Sequence, residues 1–272
     1  MKKNVFYEYH TKESGLFIKP SKVLYSKKSK FQKIEIIETK NLGKILLLDG
    51  LIMTTERDEH FYHEMMVHPA MVSHPEPEEI LIIGGGDGGA LKEVLKYKDV
   101  KSIVIVEIDK DVIDTCKKFF SSVSFGFNDS KVEIVNEDGA KFIKRSKKFD
   151  VIFVDSSDPI GPAKTLYGED FFGNLKNSLR NLGILILQSE SPVYHLDLIK
   201  KMHSISRKRF KIAKLYLSPV PTYPGGLWSF MFCSDSIEPG RVERKLPENL
   251  KYFNLEIYNS CFILPNFMKE LN

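Results

Sequence analysis

Gly84-Gly85-Gly86-Asp87-Gly88-Gly89 satisfies G-x-G-x-x-G, and it lies between a short apolar run, Ile80 to Ile83, and Leu91, Val94 and Leu95 at helical spacing. That strand-loop-helix setting is what gives the motif meaning. Glycines let the backbone turn sharply and come close to a nucleotide-sized ligand, with Gly84 and Gly86 as contact positions. About 20 residues further on, Glu107 ends a second apolar run, where a carboxylate can accept both ribose hydroxyls. In dinucleotide sites the loop and helix N-terminus receive a pyrophosphate, which Asp87 would repel. Asp138, in Asn136-Glu137-Asp138-Gly139 after a later run, is placed either to accept from an adenine amino group or to cap a helix. An S-adenosyl compound is therefore the favoured ligand, and a nicotinamide dinucleotide the alternative.

Val154-Asp155-Ser156-Ser157-Asp158-Pro159 ends another apolar run and opens on the same sheet edge. Ligands of doubly wound sheets bind beyond the carboxyl ends of the strands. Asp87, Asp155 and Asp158 should then face one crevice, with Glu190 from the next strand end beside them. Converging carboxylates repel one another, so a cation must compensate, either a metal or a polyamine. His60, His63, His68 and His74 share one segment, but the histidine after His63-Glu64 comes one residue too late for H-E-x-x-H. No metal is expected, and a cationic organic substrate is preferred.

The chemistry follows from that pairing. A sulfonium is already activated, because its leaving group is a neutral thioether; it needs a nucleophile held in line. An alkyl amine titrates at about 10 and has no lone pair while protonated. A carboxylate beside the nitrogen can take its proton as the new bond forms. Asp155 is assigned that role, with Asp158 and Glu190 holding the distant ammonium. Asp87 discriminates between donors. The ordinary methyl donor carries a carboxylate near the glycine loop, which an acid disfavours, whereas a decarboxylated donor offers only an amine.

These residues require a parallel sheet to position them. Short apolar runs at Ile80–Ile83, Ile103–Val106, Val132–Val135, Val151–Val154 and Ile184–Leu187 alternate with amphipathic stretches such as Val112, Ile113, Cys116, Phe119 and Phe120. That alternation implies an α/β fold with helices on both faces of a mostly parallel, doubly wound sheet. Ile212–Leu217 and Trp228–Cys233 flank a Pro/Gly-rich segment and predict antiparallel strands at one sheet edge. Residues 1–57 read as a small β-rich domain, with strands near 31–38, 45–48 and 51–53 forming a short meander. Residues 58–272 read as the catalytic domain, opening on a helix from Asp58 to about Ser73, with Asp58 as N-cap and a kink or break near Pro69.

Composition narrows the classes further. A net charge of +4 over 272 residues is too mild to imply nucleic acid, and the basic clusters at 27–30, 145–148 and 207–211 read as solvated helix ends and turns. No run approaches the roughly 20 apolar residues of a membrane helix, and no secretory leader is evident. The three cysteines, Cys116, Cys233 and Cys261, have neither disulfide nor zinc spacing. A cytoplasmic protein with buried thiols is expected.

The blocks GGGDGG at 84–89, DSSDPIGP at 155–162 and PTYPG at 221–225, with LDG at 48–50, TERDE at 55–59, YHEM at 62–65 and HLDLIK at 195–200, resemble the spermidine synthase family over nearly the whole chain. The resemblance implies a β-stranded N-terminal domain before a Rossmann-like methyltransferase fold, assembled as a homodimer or homotetramer. It implies aminopropyl transfer from decarboxylated S-adenosylmethionine, as co-substrate, to putrescine, giving spermidine and 5′-methylthioadenosine without a prosthetic group. Asp155 matches the family's proton acceptor and Asp158 a substrate-binding acid. Gln32, Glu107, Asp138, Gly139 and Pro162 match donor contacts. Asp87 matches the aminopropyl and amine end, and Tyr62, His63 and Tyr223 match the substrate pocket. His63 departs from relatives with glutamine there. Trp228 either walls the substrate channel or fills the sheet core.

Cadaverine, 1,3-diaminopropane, agmatine and spermidine remain alternative acceptors. Putrescine N-methylation, disfavoured by Asp87, a nicotinamide-dependent oxidoreductase and a non-enzymatic polyamine-binding module are the other readings.

Overall fold

The computed structural model describes residues 5–157 and 165–272. The chain opens with a hairpin, β1 (Phe6–Tyr9) and β2 (Gly15–Ile18), followed by an antiparallel meander of β3 (Lys22–Lys28), β4 (Lys33–Thr39), β5 (Gly43–Leu48) and β6 (Leu51–Thr55). Alternation along β4 and β5 gives this sheet two apolar faces. Ile37, Ile45 and Leu47 pack under the hairpin with Ile18 and Ile52. Ile34, Ile36 and Leu46 pack on the opposite side against Val112, Cys116 and Phe120 of the segment around α3 (Lys110–Phe119). One apolar cluster therefore joins residues on both sides of position 57.

The central sheet has seven strands: β7 (Glu79–Gly84), β8 (Ser102–Val106), β9 (Val132–Val135), β10 (Phe149–Asp155), β11 (Leu179–Gln188), β12 (Ile212–Pro219) and β13 (Leu227–Ser234). Their order is β12-β13-β11-β10-β7-β8-β9. The five strands from β11 to β9 run parallel, while β13 and β12 pair antiparallel at one edge, as expected. α1 (Glu59–Ser73) and α2 (Gly89–Val94) cover one face. On the other lie α6 (Glu169–Asn177) and α7 (Leu196–Arg209). The short helices α4 (Ser121–Ser124), α5 (Gly139–Phe142) and α8 (Leu255–Ser260) complete the layers. All three thiols are free and buried. Among the described residues no helix is long and apolar enough to cross a membrane.

At α1 the expected break at Pro69 is absent, and Asp58 holds the N-cap position without a side-chain cap. Proline removes the N–H that would serve the Met65 carbonyl, and the Tyr216 hydroxyl donates to that carbonyl instead, at 2.9 Å. The Asp58 carboxylate accepts from Thr55 Oγ1 at 2.6 Å and from the amide and hydroxyl of Thr222 at 3.1 and 2.7 Å. Asp58 thereby pins the 220–226 loop to the start of α1.

Candidate active site

The sheet changes winding direction between β7 and β10, and a crevice is expected beyond the strand ends at such a point. Gly84, the last residue of β7, pairs in register with Asp155, the last of β10. Gly84 has φ +84°, and a Cβ there would lie 2.1 Å from the Asp155 carbonyl oxygen, so the loop can leave the sheet only at a glycine. The Gly85 amide donates to that same carbonyl at 3.0 Å. The glycine loop and the base candidate are thus built on one another.

Above them opens a cavity of about 530 Å³. Gly84, Gly86, Asp87, Glu107, Asp138, Gly139 and Asp155 line it, as do Gln32, Tyr62, His63, Tyr223 and Trp228. Sequence placed all of these at the site. Asp158 and Pro162 lie outside the described residues.

At the end of the cavity beyond β8, Glu107 Oε1 accepts the Asp109 amide at 2.8 Å. Burial, only partly offset by that bond, pushes its carboxyl up to about 7. Asp138 takes the capping role at α5, accepting from the Ala140 amide at 2.8 Å, and it also lines the cavity. Gln32 reaches across from the N-terminal sheet, where its amide donates to Asp109 Oδ2 at 3.0 Å.

At the opposite end, the Tyr62 hydroxyl donates to Asp155 Oδ1 at 2.7 Å. Burial, followed by the charge of Asp87, raises the Asp155 carboxyl to about 6 against the opposing pull of His63 and Tyr62. Asp87 Oδ1 accepts the Gly89 amide at 2.8 Å, and its Oδ2 lies 3.3 Å from His63 Nε2. Burial would raise Asp87, but the charge and hydrogen bond of His63 bring it below its ordinary value. One atom each of His63, Asp87 and Asp155 lie within 4.8 Å of one another. His63 Nδ1 meets Glu59 Oε2 at 2.8 Å while Nε2 faces Asp87. With Nδ1 turned to Glu59, a metal at the trio would have to take the place of the proton between Nε2 and Asp87. The trio suits an ammonium better. The other histidines turn elsewhere: His68 is buried between Tyr97 and Glu93, and His74 accepts the Glu76 amide.

Tyr62, Tyr223 and Trp228 form an aromatic wall, with ring centroids 5.5 Å apart for the first pair and 4.7 Å for the second. The Trp228 indole N–H is buried and has no partner among the described residues. Trp228 thus both packs in the core and walls the cavity.

Glu190 is not brought to the cavity. It takes a left-handed conformation, φ +74°, and is 1% exposed. Its Oε1 accepts from Gln188 Nε2 at 3.3 Å, and its Oε2 lies 3.3 Å from His195 Nδ1. Gln188 lines the cavity instead, also donating to the Ser156 carbonyl and the Tyr167 hydroxyl. The sequence reading missed a second acid there, Glu8 of β1, which lines the cavity and accepts the Ile52 amide at 2.8 Å. Burial lifts its carboxyl to about 7. The only signal for it was an acid in an otherwise aromatic strand, Phe6-Tyr7-Glu8-Tyr9.

A mostly parallel sheet with a glycine loop after its first strand and acids at successive strand ends defines a Rossmann-like transferase of the methyltransferase type. Residues 59–243 match the spermine/spermidine synthase domain, and residues 4–56 match the spermidine synthase tetramerisation domain. A polyamine aminopropyltransferase from a Hydrogenobaculum species is 45% identical over 252 residues, covering 92% of this chain and 90% of that one. Another, from Methanocaldococcus jannaschii, is 42% identical over 274 residues, covering 97% and 94%. Among solved structures, a spermidine synthase in complex with the transition-state analogue AdoDATO superposes with a TM-score of 0.95 at 40% identity, covering 100% of this chain and 95% of that one. Spermidine synthase from Thermotoga maritima gives 0.94 at 39%, covering 100% and 94%. The chain belongs to the spermine/spermidine synthase family.

Proposed function

We propose that this protein is a polyamine aminopropyltransferase that makes spermidine from putrescine, with decarboxylated S-adenosylmethionine as donor. One observation carries the reading: Asp87 and Asp155 meet in a buried cavity that also holds the ribose-type acid Glu107. Relatives named polyamine aminopropyltransferase at 42–45% identity support it, as does the likeness to a spermidine synthase in complex with the transition-state analogue AdoDATO.

In the proposed step, the amine nitrogen attacks the aminopropyl methylene carbon bonded to the sulfonium. The C–N bond forms, the C–S bond breaks, and its electron pair leaves on sulfur as the neutral thioether methylthioadenosine. The proton shed by nitrogen goes to Asp155. An ordinary carboxylate is a poor match for an amine that titrates near 10; burial that lifts Asp155 to about 6 narrows the gap. The Tyr62 hydroxyl bonds one Asp155 oxygen and leaves the other for the proton.

Glu107 takes the ribose, while Asp138, Gly139 and Gln32 take the base and its surroundings. Asp87 receives the donor amine and His63 braces Asp87. Glu8, Gln188, Tyr223 and Trp228 surround the acceptor's far end. Asp158 and Pro162 are assigned acceptor and donor contacts by the resemblance alone. The 1–57 region is proposed to assemble the chain into a homodimer or homotetramer, and the cytoplasm is the proposed location.

The test offers the decarboxylated donor with putrescine, cadaverine, agmatine and spermidine and reads the products by mass. Spermidine and methylthioadenosine in equal amounts are expected. Preference for another amine would change the acceptor, and absence of methylthioadenosine with every amine would overturn the reading.

A further inference from the structure

Beside the cavity acids runs a second string of buried charges that the transfer step does not use. Glu59, the first residue of α1, directs Oε2 to His63 Nδ1 at 2.8 Å and Oε1 to Lys92 Nζ at 2.5 Å. Across the ring, His63 Nε2 lies 3.3 Å from Asp87 Oδ2. The ring is held in that pose: His63 is 2% exposed, and a Cβ on Gly89 would lie 2.1 Å from it. A neutral imidazole has one N–H and one lone pair. In either tautomer its lone pair would face a carboxylate oxygen. With both carboxylates ionised, only the imidazolium satisfies both neighbours.

We infer that Glu59 is a positioning residue for the base: it holds His63 as an imidazolium between two carboxylates, and that fixed charge keeps Asp87 and Asp155 from sharing a proton. The inference rests on the reading of Asp155 given above. Two buried carboxylates in contact with one field cannot both stay ionised without help, and one then retains a proton into the neutral range. A protonated Asp155 cannot accept another. The groups that set the charge of His63 are Glu59 and the Tyr62 ring on α1, Asp87 on the loop, Asp155 at the end of β10, and Lys92 on α2 behind Glu59. Burial disfavours a charged ring, but the charge and hydrogen bond of Asp87, joined by those of Glu59, hold it well above its ordinary value.

The test has two readings. In ligand-free protein with ¹⁵N-labelled histidine, both ring nitrogens of His63 should stay imidazolium-like well above the usual 6.5 or so. In Glu59→Gln the ring should titrate at lower pH than in the native protein. In the transfer assay, the acid limb of the kcat profile should move up by about one pH unit in Glu59→Gln, the low end of what a nearby charge does to a carboxyl, with KM for the donor unchanged. His63→Gln should move the limb in the same direction, and adding Glu59→Gln to it should move it no further.

A ring that stays doubly protonated in Glu59→Gln, or a limb that does not move, overturns the inference. Should Glu59→Gln not fold, the limb in His63→Gln decides alone. The histidine signal does not depend on turnover, so a failure of this inference is distinguishable from a failure of the Asp155 assignment, which Asp155→Asn reports separately.

Discussion

Two groups of buried acids meet at His63, and they differ in where their compensating charge comes from. Toward α2, Glu59 and Glu93 have protein cations at hand: Lys92 bridges both and Lys96 closes on Glu93 at 2.5 Å, while the buried His68, which desolvation holds below its ordinary pKa, lies 2.9 Å from Glu93. Burial works to raise Glu59, but His63 and Lys92 bring it down to about 2, and Glu93 is likewise held well below its usual range. Toward the cavity, burial wins: Asp155 rises to about 6, and Glu107 and Glu8 to about 7. Glu59 and Glu93 are buried, and of the cavity acids Glu8 is buried too while Asp155 and Glu107 are half-buried. Acids left without an internal cation are costly to the fold, and that cost marks where an external cation is meant to sit.

The largest expected effect is on the cavity side. Asp155→Asn keeps the shape and the Tyr62 hydrogen bond but cannot take a proton, so turnover should fall by about 10²–10⁴-fold. Donor binding, followed by calorimetry, should change little. Methylthioadenosine release at the native rate would remove Asp155 from the mechanism.

Next comes the same substitution made on each side. Glu93→Gln leaves Lys92, Lys96 and His68 around a neutral amide, and breaking such a buried pair costs about 3–5 kcal/mol. The unfolding midpoint should drop steeply. Glu107→Gln removes a charge that burial already opposes. At pH 8 it should leave stability unchanged or raise it by about 1–3 kcal/mol, while donor affinity falls. Equal destabilisation by the two variants would mean that the cavity acids are internally compensated after all.

The pH dependence of stability follows from the same contrast. Glu8 and Glu107 titrate near 7 in the fold against 4.5 in the unfolded chain. Their protonated forms favour the fold below 4.5, and that contribution is lost as pH rises toward 7. Glu59, at about 2 against 4.5, contributes above 4.5, and its share is lost only as pH falls toward 2. A bound diamine should restore what the cavity acids lose. The rise in melting temperature on adding diamine and methylthioadenosine should therefore be larger at pH 8 than at pH 5, by about 2–4 °C for each kcal/mol recovered. An equal rise at both values would break the contrast.

Much of this arrangement was legible in the sequence because a parallel sheet writes itself plainly. The runs that became β7, β8, β10 and the end of β11 are apolar on both faces, and acids just beyond such runs fall at the ligand edge, as Glu107 and Asp155 do directly and Asp87 does after three glycines. The N-terminal strands were harder. β3 is mostly exposed and lysine-rich, and β1 and β2 carry exposed Tyr7, Tyr9 and Phe17, so neither shows the alternation that marks a half-buried strand. Residues delivered by tertiary contacts were harder still. Glu190 sits where an anchor would be expected, one strand end along, but its left-handed backbone turns it toward His195 and leaves Gln188 at the cavity. Asp58 sits where a cap would be expected and is taken by Thr222 instead.

Glu8 offers the smallest effect and the sharpest test of the contrast, because its carboxylate can be neutralised without disturbing much else. It is 4% exposed, accepts the Ile52 amide, and has His10 at 3.4 Å as its only basic neighbour among the described residues. Glutamine keeps an oxygen to accept the Ile52 N–H, so Glu8→Gln removes the charge and spares the hairpin. With an ammonium at the far end of the cavity, the native carboxyl should ionise on binding, and KM for the amine should fall as pH rises through 7. In Glu8→Gln that slope should vanish and KM should rise about tenfold, worth about 1.4 kcal/mol, with kcat within about twofold of native, since a distant anchor binds ground state and transition state alike. An unchanged KM would place the ammonium elsewhere, and would make Glu8 a buried acid held for the fold rather than for the amine.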